Sequence, residues 1–178
     1  MRALRADEIE VRVGTVSKKG VAFLLYKNAR VDMAILDEEF TPFGWQDKYE
    51  ERKNVMYCSI GVKSPDGEWI WKEDCGTESN TEKEKGEASD AFKRAGFRWG
   101  IGRELYTSPR IFLPLDTKPK ERGGGYELVD PWAVSGMFVS RIRTAEENGK
   151  LVIRAVELAK KEYDKVYPVG VFPKGERI

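Results

Sequence analysis

Residues 55–76 read Val55-Met56-Tyr57-Cys58-Ser59-Ile60-Gly61-Val62-Lys63-Ser64-Pro65-Asp66-Gly67-Glu68-Trp69-Ile70-Trp71-Lys72-Glu73-Asp74-Cys75-Gly76, and this stretch decides the fold. Two runs rich in β-branched and aromatic residues flank Ser64-Pro65-Asp66-Gly67, whose residues supply the chemistry of a tight turn, so the spacing predicts strands over Val55 to Lys63 and Trp69 to Gly76. Upstream, Trp45 to Arg52 predicts a third strand of the same meander. Downstream, Ala88, Ala91, Phe92, Ala95 and Trp99 recur at helical spacing and predict a long helix over Ser79 to Trp99, with its apolar stripe on the sheet. Three antiparallel strands and a covering helix make a β-β-β-α core, an α+β architecture.

Around this core the remaining elements follow. Glu8 to Val16 and Val21 to Lys27 alternate polar and apolar about a Ser17-Lys18-Lys19-Gly20 turn, which predicts an N-terminal hairpin. Asn28 stands as N-cap to a helix whose Val31, Ile35, Leu36 and Phe40 share a face before Pro42. Leu105 to Leu113 reads as extended, and residues 1–113 form the expected core domain. Residues 114–130, with Pro, Lys, Glu and Gly123-Gly124-Gly125, read as a linker or flexible loop. Residues 131–178 form a C-terminal β-hairpin extension: Met137 to Thr144 and Leu151 to Leu158 flank Glu146-Glu147-Asn148-Gly149, while Ala155 to Lys165 also fits a helix.

The chain has 178 residues, 40% hydrophobic and 34% charged, a composition that excludes global disorder. Histidine is absent, which excludes histidine-based triads, metal sites and acid–base catalysis. Two cysteines, Cys58 and Cys75, are too few for a four-cysteine zinc site and fit small, reduced residues on strands. No apolar run approaches the ~20 residues of a membrane span and no secretory signal is seen, so the protein is expected in the cytoplasm and off membranes.

Charge is segregated. Lys+Arg number 31 and Asp+Glu 30, for a net charge of +1. Asp37 to Glu51 holds six acids (Asp37, Glu38, Glu39, Asp47, Glu50, Glu51) against Lys48, and Lys93 to Arg110 holds five bases (Lys93, Arg94, Arg98, Arg103, Arg110) against Glu104. The basic segment interleaves Phe97, Trp99 and Tyr106, and cations with aromatic faces are what a sequence-tolerant single-strand binder uses. A solvated helix face explains the same charges, and Asp90 to Arg94 is an ordinary i,i+4 pair. Gly96, near Lys93 on the helical wheel, weakens the helix and so points to close approach of another backbone, protein or phosphodiester. Gly100 or Gly102 suits a left-handed helix cap, with Arg103 placed for either the helix end or a phosphate. Glu51-Arg52-Lys53 and Asp116-Thr117-Lys118 each supply an acid-x-Lys element, too common in a charged chain to mark a metal nuclease.

Several blocks occur in a telling order: Arg30-Val31 opening a helix that ends in Phe40, then Phe43-Gly44-Trp45; the strand pair around Pro65-Asp66-Gly67; and Ser89-Asp90-Ala91-Phe92-Lys93-Arg94-Ala95 followed by Trp99-Gly100-Ile101-Gly102-Arg103. With these, Asn28 to Leu113 resembles the Rad-fifty-two family of single-strand annealing proteins, especially its phage-encoded (Sak-type) branch. The resemblance implies a ring-forming homo-oligomer that holds single-stranded DNA in an outer basic groove and anneals complementary strands in recombination or repair. It implies neither ATP nor any other cofactor, and no catalysis. By position, Lys93 and Arg94 match the family's backbone-contacting pair and Arg30 a basic residue opening the first helix. The family's third helical arginine falls at Phe97, leaving Arg98 or Arg103 to substitute, and Lys83 and Lys85 lie near a second, outer DNA site. Single-stranded DNA is the expected partner, with a single-strand binding protein or an exonuclease of the phage or host as further partners. Rival readings are a DNA-end-protecting binder that does not anneal, a metal-dependent nuclease and an interaction module without DNA affinity.

Overall fold

The computed structural model describes the backbone of residues 1–77 and 83–178, and the side chains of all of these except 83–85. Its strands are β1 (Glu10–Ser17), β2 (Gly20–Tyr26), β3 (Trp45–Arg52), β4 (Val55–Lys63), β5 (Trp69–Cys75), β6 (Ile111–Leu113), β7 (Thr117–Pro119), β8 (Tyr126–Leu128), β9 (Met137–Glu147), β10 (Lys150–Glu162) and β11 (Lys165–Phe172). The helices are α1 (Ala29–Phe40) and α2 (Lys83–Trp99). The result is a mixed α+β fold of antiparallel sheets and two helices. Two compact units share the chain: Met1–Leu4 with Lys27–Arg103, and Arg5–Tyr26 with Glu104–Ile178.

In the first unit, β3, β4 and β5 form the expected antiparallel meander in that order, with Trp45 opposite Val62 and Lys63 opposite Trp69. Alternation along each strand then sorts the side chains. Cys58, Ile60 and Val62 of β4 are buried on one face, and α2 packs over β4 and β5 with Ala91, Phe92 and Ala95 buried. Trp45 meets Phe92 edge to face at 6.0 Å, and the Trp99 indole donates to the Ile60 carbonyl at 3.0 Å. Trp69 and Trp71 lie on the opposite face, so they do not enter the core beneath α2. Gly61 is bare because Trp71 crosses it: a Cβ there would stand 2.9 Å from the ring.

Asn28 caps α1 as expected, its Oδ1 accepting from the Arg30 and Val31 amides at 3.0 and 3.3 Å. Asn28→Ala is expected to cost about 1 kcal/mol, read as a lowered urea midpoint at unchanged slope. The buried face of α1 differs from the expected stripe: Ile35 and Leu36 are buried with Asp32, whereas Val31 and Phe40 are only partly so. The second helix, α2, runs to Trp99 as expected; its expected start at Ser79 lies outside the described residues.

The second unit holds the expected N-terminal hairpin, β1 with β2, to which β6 adds as a third antiparallel strand. Glu8 is not in the strand: Ala6–Glu8 is a short 3-10 turn, closed by the Arg5 amide donating to the Glu8 carboxylate at 2.8 Å. Leu105 is not extended either, because Arg103–Thr107 is a 3-10 turn and the strand begins only at Ile111. Residues 117–128 close a small hairpin, β7 with β8, and its loop contains Gly123, Gly124 and Gly125, all at positive φ. Beyond it, β9 and β10 pair around Asn148 and Gly149, both left-handed, as the Asn-Gly signal predicts. The helical alternative for Ala155 to Lys165 is overturned, since β10 continues to Glu162, and β11 adds a third strand that the sequence reading did not include. Among the described residues no helix is long and apolar enough to cross a membrane.

Candidate nucleic-acid interface

The C-terminal half of α2 gathers the basic residues in two places. On the side toward β5, Arg94 and Arg98 converge on Asp74, their Nε atoms 3.4 and 2.9 Å from its two carboxylate oxygens. Burial works against the Asp74 charge, but the Arg98 hydrogen bond, the Cys75 amide and Arg94 outweigh it and hold the carboxyl below its usual range. Lys72, two residues before Asp74 on the same face of β5, reaches the Arg98 carbonyl at 3.2 Å and lies over the Trp99 ring at 4.2 Å. Arg103 turns back on the helix end, donating to the Phe97 and Arg98 carbonyls at 2.6 and 2.7 Å. Gly100 and Gly102 take left-handed φ values of 99° and 73°, the cap that the sequence predicts. Lys72, Arg94, Arg98 and Arg103 thus gather at the helix end, with Asp74 shared by Arg94 and Arg98. Arg94 and Arg98 keep 42% and 60% of their side-chain surface exposed, although the Arg94 Nε itself is buried and makes no hydrogen bond among the described residues.

Lys93 occupies the other side of α2. Its ammonium is 3.7 Å from Asp90, whose second oxygen accepts from the amide and hydroxyl of Thr77. Its carbonyl accepts from Lys27 at 3.4 Å. Lys27 is 1% exposed and bonds Asp32, which is fully buried, while its ammonium also lies 4.2 Å from the Phe97 ring centre. The Asp32 Oδ2 is buried and receives no hydrogen bond among the described residues. Gly96 answers the question that its sequence position raises: a Cβ there would stand 2.1 Å from Asp32 Oδ1, so the close neighbour is a protein carboxylate. Gly102 is close to the same pair, with a Cβ only 2.6 Å from Lys27 Cε.

Burial pushes the Asp32 carboxyl up to about 6, against the opposing pull of Lys27. Because this lies above the unfolded value of about 3.9, the folded state binds the proton more tightly. The contribution of this proton is present below pH 4 and is lost as pH rises through 6. Wild type is therefore expected to lose stability relative to Asp32→Asn between pH 4 and 7, checked by urea midpoints of both proteins across that range.

The expected residues thus separate into groups. Arg94 and Arg98 share the side of α2 toward β5, Lys93 lies on its other side with only a quarter of its side chain exposed, and Arg103 closes the helix end. Arg30 is exposed in the first turn of α1, its side chain without an ion pair among the described residues. Lys83 and Lys85 fall in the first turn of α2, where their side chains lie outside the described residues. Of the interleaved aromatics, Phe97 and Trp99 pack internally against Lys27, Phe40 and Ile60, and only Tyr106 is broadly exposed. The acidic segment is partly neutralised, since Arg2 pairs with Glu38, the Met1 amino group with Glu39, and Asp37 accepts from the Trp45 indole. Cys58 is a buried free thiol whose pKa burial pushes up to about 12, and Cys75 is free and half-buried.

Lys72, Asp74, Lys27 and Asp32 were not among the expected site residues. Ile70, Lys72 and Asp74 alternate along β5, so period-2 reading places them on the helix-facing side. No family model matches the sequence, and no curated protein matches it.

Proposed function

We propose that the protein binds single-stranded DNA and anneals complementary strands without ATP, in phage-type homologous recombination or double-strand break repair. The observation that supports this best is the cluster at the end of α2. Arg94 and Arg98 are oriented by one shared carboxylate and remain exposed, with Lys72 beside them, so they can neutralise phosphates while leaving base edges free to pair. Arg98 is the residue that takes the place of a third helical arginine, because Arg103 is engaged in capping the helix. Lys93, on the other side of α2, and Arg30, exposed in the first turn of α1, are proposed as further phosphate contacts.

A head-to-tail ring is the assembly proposed for this activity. Within the chain β3 and β5 are both edge strands, two non-identical edges of the kind a cyclic contact needs. A single-strand binding protein or an exonuclease is the proposed companion. Binding of a labelled oligothymidylate, followed by anisotropy at rising salt, tests the reading: affinity is expected to fall linearly in log–log form, without magnesium or nucleotide. Salt-independent binding, or degradation of the strand abolished by EDTA, would replace this proposal with the interaction module or the nuclease.

A further inference from the structure

Arg110 belongs to the basic segment of the sequence, yet the cluster at the end of α2 does not use it. In the second unit it stands just before β6, exposed, with its guanidinium 5.4 Å from the Phe112 ring centre. Two depressions, of about 340 and 290 Å³, share these two residues. Lys19, from the β1–β2 turn, lines one; Pro114, Phe172 and Lys174 line the other. No carboxylate lines either depression. None of Lys19, Arg110 and Lys174 forms an ion pair among the described residues, and Arg110 differs in this from most other arginines of the chain.

We propose that this groove is a second contact for single-stranded nucleic acid, carried by the second unit. Lys19, Arg110 and Lys174 take successive phosphates, and the Phe112 ring with its overlying guanidinium offers a base a stacking surface. Charge complementarity commits the groove to a polyanion. The aromatic floor then favours one with bases over an acidic peptide, because a carboxylate chain makes no use of a ring face. This deepens the reading of the protein as a single-strand binder, but rests on its own residues and is separable from α2.

The test is anisotropy of a labelled oligothymidylate with the full chain in four forms: wild type, Lys19→Ala/Arg110→Ala/Lys174→Ala, Phe112→Ala and Arg94→Ala/Arg98→Ala. The triple variant is expected to bind about tenfold more weakly, with a log–log salt slope shallower by about 2, since three phosphate contacts are lost. Phe112→Ala is expected to lose about fivefold or more with the slope unchanged, as loss of stacking requires. Ultraviolet cross-linking of wild type, which needs no variant to fold, should place oligothymidylate on the peptide containing Phe112. A triple variant with wild-type urea midpoint, affinity and slope would overturn the proposal, as would cross-links that avoid that peptide. Equally efficient displacement of the oligonucleotide by polyglutamate would overturn it in favour of an acidic peptide. Loss in the triple variant with no loss in Arg94→Ala/Arg98→Ala would uphold the groove and remove the α2 reading; the reverse would do the opposite.

Discussion

Arg94→Ala/Arg98→Ala is expected to lower affinity for single-stranded DNA about tenfold at moderate salt and to make the log–log salt slope shallower by about 1.4. The two guanidiniums share Asp74 and keep part of their surface exposed, so their removal would delete the two phosphate contacts proposed for one face of α2. A merely structural triad would give the same loss only through unfolding, and Asp74→Asn separates the two cases. That variant keeps both cations and deletes the opposing charge, so it is expected to bind two- to threefold more tightly, by the Coulomb attraction it restores toward phosphate. Anisotropy titrations at three salt concentrations, with urea midpoints on the same preparations, check both variants. If Asp74→Asn bound as weakly as the double alanine variant, the arginines would be acting through the fold.

The largest expected effect on stability lies under α2. Lys27→Met leaves the buried Asp32 without its ammonium, and breaking a buried pair by removing one partner costs about 3–5 kcal/mol. For a chain of this size that is a fall of about 10 °C in melting temperature. Lys27→Met/Asp32→Leu is expected to recover most of the loss, because it removes both charges at nearly constant shape. Gly96→Ala strikes the same spot from the helix: its methyl would have to displace the Asp32 carboxylate, so the substitution destabilises although alanine favours helices. Thermal melts of wild type, Lys27→Met, Asp32→Leu and Lys27→Met/Asp32→Leu read the cycle, with Gly96→Ala alongside; additive losses of the two single variants in the double variant would mean that the pair does not act as a pair.

The β-β-β-α unit was legible because its strands alternate and its turn carries unambiguous chemistry; the structure returns Trp45–Arg52 and Val55–Lys63 with the expected bounds. The tail was less so, for a physical reason. In β10 the register shifts between Ile153 and Ala155, between Glu157 and Leu158, and, toward β11, between Leu158 and Ala159. These bulges bury Ile153, Ala155, Val156, Leu158 and Ala159, a spacing that imitates a helix face and hides the strand period. Lys27 and Asp32 were opaque for another reason: a buried charge looks like any polar residue in a sequence, and only Gly96, 64 positions after Asp32, hints that something presses on the helix. At the α2 end, residue types marked the cations. Their partners, Asp74 and Lys72, come from a strand whose alternation groups them with Ile70 on one face, while their pairing opposite Cys58 and Ile60 brings them to the helix end. Trp99 was legible as the last residue of the sheet-facing stripe, whereas Phe97 was legible only as an aromatic near cations and not as the ring beside the buried Lys27.

The exposed cations of α2 are proposed to hold strands so that they can pair. The measurement closest to it is the annealing rate of two complementary labelled oligonucleotides without nucleotide, for wild type and Arg94→Ala/Arg98→Ala, with assembly mass determined on the same samples. A large assembly is expected for both proteins, with accelerated annealing by wild type and a rate near the spontaneous one with the variant. Wild type in a large assembly that leaves spontaneous annealing unchanged would contradict it.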